Sequence, residues 1–441
     1  MNESEYNKDL FKFINSSPTP FHLVSFMVKK LIKNSFIHLK EYDKWEIEKG
    51  KKYFVTRNGS SIIAFKMGLK SPWNTGIKMA GAHTDSPCLK LKPYPELESD
   101  SMTRLGVEVY GGALLTTWFD RKLNLAGKVT CLKEQIDAKR PLSNFLINYN
   151  RPVAVIPSLA IHLDRDANKN KSVNPQIHIP PLFMMDNNLN KKSFNQILLE
   201  QIKRQHPNAL IKEVLGFDLS LSDIDPPCFT GLNNEFISSP RLDNLISCHA
   251  CLKSLINNDN NSTSFIVCTD NEEIGSDTIV GAKGTFIKSI LSRLSVTPEN
   301  IARTADKSLM ISLDNAHGIH PSYREKYDTN HLSELNHGPV LKINASGKYA
   351  SDSETSGLFK ILCKKADIPF QTFVMRSDMP CGSTIGPAIS SKTGIKTVDI
   401  GAPTLAMHSI RELTGNKDPF MIFKVINKFF SLGDQLLLSL T

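Results

Sequence analysis

The sequence predicts an α/β fold: a sheet covered by helices on both faces, interrupted by an inserted, mainly β domain. Three observations predict it. Short apolar runs alternate with stretches of helical periodicity at the start of the chain and again from Gly231 onward. Between these two parts the texture changes to short β-like runs, many prolines and a single helical stretch. Acidic and histidine residues also fall repeatedly where apolar runs end, and in open α/β sheets ligands gather at the carboxyl ends of strands. The division this implies is a discontinuous main domain over 1–90 and 226–441 with an insertion over 91–225. The polar stretch Asp223-Ile224-Asp225-Pro226-Pro227 marks the far boundary.

Taken in order, residues 5–16 and 20–33 have helical periodicity, and Thr19-Pro20 gives the second a cap and an N1 proline. Residues 52–57 and 61–67 alternate around Asn58-Gly59, the signal of a hairpin. Residues 76–82 form a strand that delivers His83-Thr84-Asp85-Ser86-Pro87. In the insertion, strands are expected at 107–110, 127–132 and 153–156 and a helix near 193–205. Thereafter helices are expected at 241–255, 353–365 and 418–438. Strands are expected at 264–268, 309–313, 340–344, 370–375 and 395–400. The run Asn257-Asn258-Asp259-Asn260-Asn261 reads as a surface loop.

Composition narrows the function. With 441 residues, 40% apolar and 22% charged, the chain has the make-up of a soluble globular protein of two or three domains. Lys and Arg (53) exceed Asp and Glu (44), a net charge of +9. The basic residues are scattered, without aromatic interleaving, zinc-finger spacing or an RNA-recognition signature, so no nucleic-acid partner is expected. Residues 1–10 are polar and lack an apolar core, which predicts no signal peptide, and no apolar run is long enough to span a membrane. The eight cysteines are spread along the chain and read as reduced thiols of a cytoplasmic protein. Cys248-His249-Ala250-Cys251 has no second pair and lies in a helical pattern, so it reads as helix packing.

The chemistry centres on Thr269-Asp270-Asn271-Glu272-Glu273-Ile274-Gly275-Ser276, which follows the apolar run 264–268. Adjacent residues leaving a strand point in different directions. One carboxylate can hold a metal while its neighbour serves as general base, the pair that metal-assisted hydrolysis needs. Alone, such a pair is more often a solvated turn. Other positions change the count. His83 ends a strand, and Asp85 could orient it or lie behind a metal. Asp243 starts a helix, where it either complements the helix dipole or bridges two cations. Asp314 ends the run 309–313, with His317 close behind, and His408 follows the run 395–400. His83, Asp243, Glu272 or Glu273, Asp314 and His408 would give each of two ions an imidazole, a carboxylate and a share of a bridge. That leaves an open coordination position. Mixed N/O ligation suits zinc, cobalt or manganese.

These residues sit in a series of motifs: Ala82-His83-Thr84-Asp85-Ser86-Pro87, Val109-Tyr110-Gly111-Gly112, Leu159-Ala160-Ile161-His162-Leu163, Arg241-Leu242-Asp243-Asn244, Asp270 to Ser276, Asp314-Asn315-Ala316-His317 and Met407-His408-Ser409-Ile410-Arg411-Glu412. In this order they resemble the aspartyl aminopeptidase / aminopeptidase I family of dinuclear metallopeptidases, and the bacterial members above all. The resemblance runs from about Phe11 to the C-terminus. It implies His83, Asp243, Glu273, Asp314 and His408 as metal ligands, with Asp243 bridging. Glu272 would be the general base and Asp85 would orient His83. His317, Lys342 and Tyr349 match substrate-contacting positions. His162 matches a residue that reaches substrate across a dimer contact, although some schemes count it as a zinc ligand. The family fold is a proteolytic domain interrupted by a dimerisation domain and assembled into a tetrahedral dodecamer. Two divalent ions per subunit, zinc first and cobalt or manganese next, are implied, with peptides as substrates. One departure is Ser158, which stands where the family pattern has a bulkier polar residue.

The reading is thus a metalloaminopeptidase that removes single N-terminal residues, acidic or neutral, through activated water. Two other classes compete with it. A deacylase or carboxypeptidase on a related fold would need an arginine clamp for a carboxylate, with Arg241, Arg376 and Arg411 as candidates. A non-enzymatic assembly protein could dispense with Glu272 or a ligand, and this sequence retains all of them.

Overall fold

The computed structural model describes residues 1–134, 141–185, 192–258 and 261–432. They form two compact units. One comprises Met1–Ser86, Pro227–Met407 and the segment from Glu412, and the other comprises Pro87–Pro226 with His408–Arg411. The division therefore falls after Ser86 and after Pro226, against the expected 90 and 225. It also returns four residues around His408 to the second unit.

The first unit is built on a nine-stranded sheet. Ser264–Thr269, Lys78–His83, Leu309–Leu313 and Lys396–Gly401 run parallel at its centre. Antiparallel Ser61–Lys66 and Lys52–Arg57 extend one side, joined through Asn58 (φ 54°) and Gly59 (φ 71°) as the Asn-Gly turn requires. Val340–Ile343 and Gln371–Val374 extend the other. The central strands are apolar without alternation because both faces are covered. In Ser264–Thr269, Ile266 and Cys268 join one core cluster with the helices Glu3–Asn15, Leu242–Ile256 and Asp418–Ser431. Phe265 and Val267 join the other with Phe286–Ser295 and Ile385–Thr393. Truncating a fully buried phenylalanine such as Phe265 would cost about 3–5 kcal/mol. A five-stranded sheet adds Cys228–Thr230, Phe236–Ser239, Glu412–Gly415, Pro403–Leu405 and Ala316–His317, and it frames the segments leading to Asp243 and His317.

The second unit is a six-stranded antiparallel sheet in the order Leu142–Asn148, Leu123–Lys133, Ile211–Asp223, Cys88–Ser99, Met102–Tyr110, Leu182–Met185. The helix Phe194–Gln205 has Ser193 and Gln196 in a capping box and buries Phe194, Leu198 and Ile202 against the sheet. Residues 153–156 are not the strand expected there: Ala154, Val155 and Ile156 make only isolated bridges, to Leu123, Leu182 and Phe119. The C-terminal helix is described to Ser431, so the expected stretch from 433 to 438 lies outside the described residues, as do 259 and 260 of the asparagine-rich loop. Among the described residues no helix is long and apolar enough to cross a membrane. All eight cysteines are free thiols.

Candidate active site

Parallel register brings the carboxyl ends of the central strands to one edge. Thr269 pairs with His83, and Leu309–Leu313 flanks the same strand. Beyond Thr269 the chain turns through Asn271 (φ 64°), a short helical turn Glu272–Ile274 and Gly275 (φ 93°). The turn is held from beneath by Asp85. Its carboxylate accepts the backbone N–H of Glu272 at one oxygen and that of Glu273 at the other, both at 3.1 Å. Two adjacent glutamates are thus held at their backbone N–H groups by one buried aspartate.

Asp85 also holds His83. The nearer acceptor for His83 Nδ1 is the Asp85 backbone carbonyl at 3.0 Å, with the carboxylate at 3.5 Å. A proton placed on Nδ1 leaves the Nε2 lone pair facing outward, the tautomer a metal ligand needs. Nε2 lies 3.3 Å from Asp243 Oδ1 and 3.6 Å from Asp314 Oδ1. Asp243 lies two residues after Arg241 (φ 56°), in the first turn of the helix Leu242–Ile256, and has non-helical angles itself. Its backbone is tied on every side. Its N–H donates to Glu412 Oε2 at 2.9 Å and its carbonyl accepts from Ser86 Oγ at 2.6 Å. The neighbouring Asn244 side chain donates to the Leu313 carbonyl at 2.7 Å.

Among the described residues, His83, Asp243 and Glu273 offer ligand atoms all within 4.8 Å of one another. A divalent ion fits this donor set. Metal–ligand distances of about 2.0–2.2 Å in a tetrahedral shell place neighbouring ligand atoms about 3.4 Å apart. The observed 3.3 and 3.6 Å between His83 Nε2 and the two aspartates bracket that value. The charges agree. Several carboxylates crowd together away from water, an arrangement that needs a countercharge. Burial pushes the Glu272 carboxyl up to about 8. His83 opposes that shift, and Asp314, Asp85 and Asp243 add to it. Burial alone would depress His83, but hydrogen bonding to Asp243, Asp314 and Asp85 raises it well above the ordinary histidine value.

Lys342 is buried beside this group, with Nζ 3.5 Å from Asp314 Oδ2 and 5.3 Å from the centre of the Tyr349 ring. Burial raises the Tyr349 hydroxyl, and Cys381 and Asp314 push the same way. The His317 ring packs at 5.7 Å on Phe373, the strand partner of Lys342. The first unit therefore brings together His83, Asp85, Asp243, Glu272, Glu273, Asp314, Lys342 and Tyr349, with His317 one strand away. His408 belongs to the second unit, where its Nδ1 faces the Gly112 carbonyl at 3.2 Å. His162 is exposed on a turn of that same unit, and the backbone of nearby Ser158 donates to Asp120 Oδ1 at 2.9 Å.

Sequence reasoning gave no role to Glu412, although it closes a quoted motif. In the structure it is only 3% exposed, a burial that the residue types around it in the sequence do not reveal. Cys248 and Cys251 are both buried in their helix, and Cys248 Sγ donates to the His83 carbonyl at 3.0 Å. The arginines considered for a carboxylate clamp are engaged elsewhere. Arg376 binds Asp378 and the Glu325 carbonyl, Arg411 binds Asp223 at 3.0 Å, and Arg241 donates to the Ile14 carbonyl at 3.3 Å.

Comparison with known proteins identifies the family. The family model for the aminopeptidase I zinc metalloproteases (M18) matches residues 13–430. A probable M18 family aminopeptidase 2 of Pseudomonas savastanoi is 49% identical over 429 residues, covering 97% of this chain and 98% of its own. A Pseudomonas putida protein of the same description is 48% identical over 424 residues, covering 96% and 97%. Among solved structures, a chain of the Ape4–Nbr1 complex superposes with a TM-score of 0.94 at 36% identity, covering 100% of this chain and 88% of its own. The S. cerevisiae mApe1 dodecamer gives 0.84 at 29% identity, covering 99% and 98%. A Thermotoga maritima M18 aminopeptidase, at 19% identity and a TM-score of 0.81 with 97% and 96% covered, shares the fold. With the match extending over nearly its whole length, the chain belongs to the M18 family of aminopeptidases.

Proposed function

We propose that this aminopeptidase removes single N-terminal residues from peptides with two divalent ions, zinc first, and with Glu272 as general base. The observation that carries the reading is the Asp85 clamp, which fixes Glu272 and Glu273 next to His83 and Asp243. His83, Asp243, Glu273 and Asp314 would hold the ions, with Asp243 shared between them. His408 joins them on its sequence motif alone. Bound there, the ions would supply Lewis acidity to the scissile carbonyl, an anchor for the free α-amine and a more acidic water. Glu272 accepts a proton from the attacking water and returns it to the leaving amine. Lys342, Tyr349 and His317 meet the first side chain, and the buried ammonium of Lys342 suits an acidic one. His162 is assigned to substrate contact from a neighbouring copy, and the inserted unit to self-association. The dodecamer described for mApe1 supports that assignment.

Glu272→Gln is the test. It keeps the shape and removes the base, so folding and metal content should stay unchanged. Turnover of aminoacyl-chromophore substrates should fall by about 10²–10⁴-fold, the usual worth of a general base. Turnover within a few-fold of the parent enzyme would sink the assignment. Light scattering of the native protein tests the assembly, and a monomer at micromolar concentration would refute it.

A further inference from the structure

We propose that Asp399 is a positioning residue for recognition of the substrate's first side chain, its carboxylate pinning the Tyr349–Ser351 loop so that Tyr349 stands against Lys342. This rests on the reading of Lys342 and Tyr349 as substrate contacts.

Asp399 lies near the carboxyl end of the central strand Lys396–Gly401 and is wholly buried, at 0% exposure. A carboxylate removed from water is tolerated only when its lone pairs are met. Asp399 meets them through two separate loops. Oδ2 accepts the backbone N–H of Ala350 at 2.6 Å, and Oδ1 accepts the Thr384 hydroxyl at 2.7 Å. The Asp399 backbone adds a third tie, donating to Ser351 Oγ at 2.9 Å. The first loop carries Tyr349, whose ring faces Lys342 Nζ, and Lys342 in turn faces Asp314. Pairing of Val340 with Gly401 and of Leu341 with Ile400 brings the strand of Lys342 alongside that of Asp399. The space is fitted to a carboxylate: a Cβ on Gly386 would lie 2.5 Å from both of its oxygens. Burial raises the Asp399 carboxyl, while its hydrogen bonds and the charge of Lys342 pull it down. A chain of contacts thus runs from Asp399 through the 349–351 loop to Lys342.

The test compares Asp399→Ala, Asp399→Asn and Tyr349→Ala in metal-loaded enzyme, with aspartyl- and leucyl-chromophore substrates. Asn can keep both side-chain links, accepting from Ala350 with its oxygen and donating to Thr384, whose hydroxyl rotates. Asp399→Ala should raise KM for the aspartyl substrate about tenfold, the worth of one buried hydrogen bond, with kcat and metal content within about threefold. Asp399→Asn should bring KM back to within about threefold, and Tyr349→Ala should raise it as Asp399→Ala does. An unchanged KM in Asp399→Ala beside a raised one in Tyr349→Ala overturns the role of Asp399 alone. An unchanged KM in Tyr349→Ala overturns the substrate reading and this proposal with it. Loss of metal and kcat together, without rescue by Asn, marks a merely structural residue and also overturns it. If Asp399→Ala does not fold, Ser351→Ala and Thr384→Val each remove one link and carry the same KM expectation, and no change in both refutes the proposal.

Discussion

Asp85 offers a sharp perturbation because one side chain supports both the proposed base, Glu272, and a proposed ligand, Glu273. Replacing it by Asn keeps the volume, but one of its two oxygens becomes an NH₂ that meets a backbone N–H of Glu272 or Glu273. One charge-assisted bond is lost, worth about 1.5–3 kcal/mol, and a donor is set against a donor in a buried place. Relaxation of the turn recovers part of this, so a net loss of about 2 kcal/mol is expected, about 30-fold. Where a supporting residue orients metal ligands, removal costs about 10–100-fold in metal affinity or activity, and the two figures agree. The assay is competition for zinc or cobalt against a chelator of known affinity, followed by kcat at saturating metal. Asp85→Asn should weaken metal binding, reduce kcat, or divide the loss between them to a total of about 10–100-fold. Metal affinity and kcat both within threefold of the parent enzyme would refute the clamp.

Chelation of the native enzyme should abolish hydrolysis and lower the melting temperature, because ions bound only by the folded site stabilise it; an unchanged melting curve would count against the carboxylate cluster as their site. Gly401→Ala should destabilise by at least about 3 kcal/mol in urea unfolding, since its Cβ would fall 1.8 Å from the Asp314 carbonyl. Asp418, whose carboxyl burial pushes up to about 7 against hydrogen bonds from Asn336, Gly338 and Gly415, supplies a pH signature. The folded state binds this proton more tightly than the unfolded chain, so the contribution is present at low pH and is lost as pH rises from about 4 to 7. The stability gap between the parent protein and Asp418→Asn should therefore narrow across that window, and a constant gap would show that Asp418 does not titrate there.

The parts of the fold that were legible in the sequence share one physical cause. Strands such as Leu309–Leu313 are buried on both faces, so they stand out as continuous apolar runs bounded by polar residues. The helix Phe194–Gln205 announces itself by its capping box. The long strands Cys88–Ser99 and Ile211–Asp223 went unread because register shifts break their alternation and one face is polar. Helix Phe286–Ser295 carries Phe286, Ile287, Ile290, Leu291 and Leu294 at helical spacing and was legible though not predicted, whereas Pro298–Asp306 buries only Thr304 and Ala305 and offers too few apolar residues for a period to show. Residues 153–156 show the opposite error, since an apolar run of strand length made only isolated bridges. In the site, the chemical residue types stood at strand ends and could be picked out. The grip of Glu412 on the Asp243 backbone depends on a distance between residues far apart in sequence, and the choice of the Asp85 carbonyl as the nearer acceptor for His83 depends on a local turn geometry that residue types do not reveal.

In the proposed roles, the adjacency of Glu272 and Glu273 meets opposite demands on two carboxylates. A ligand must stay charged next to other carboxylates, and a base must be free to take and release a proton. Residues far apart in sequence could meet those demands only if two loops held their relative distance. Two successive residues share one peptide unit, and a single carboxylate beneath it fixes both N–H groups at 3.1 Å. The turn that carries them is bounded by Asn271 and Gly275, both at positive φ. The same Asp85 carboxylate lies 3.5 Å from His83 Nδ1, so an error in the turn and an error at His83 are coupled rather than independent. A substitution at Asp85 should therefore move base and ligand together. Double substitution of Asp85 and Glu272 should then cost less than the sum of the two single effects, because Glu272 has nothing left to position once it is gone. Strict additivity in that cycle would show that Asp85 acts on the metal ligands alone.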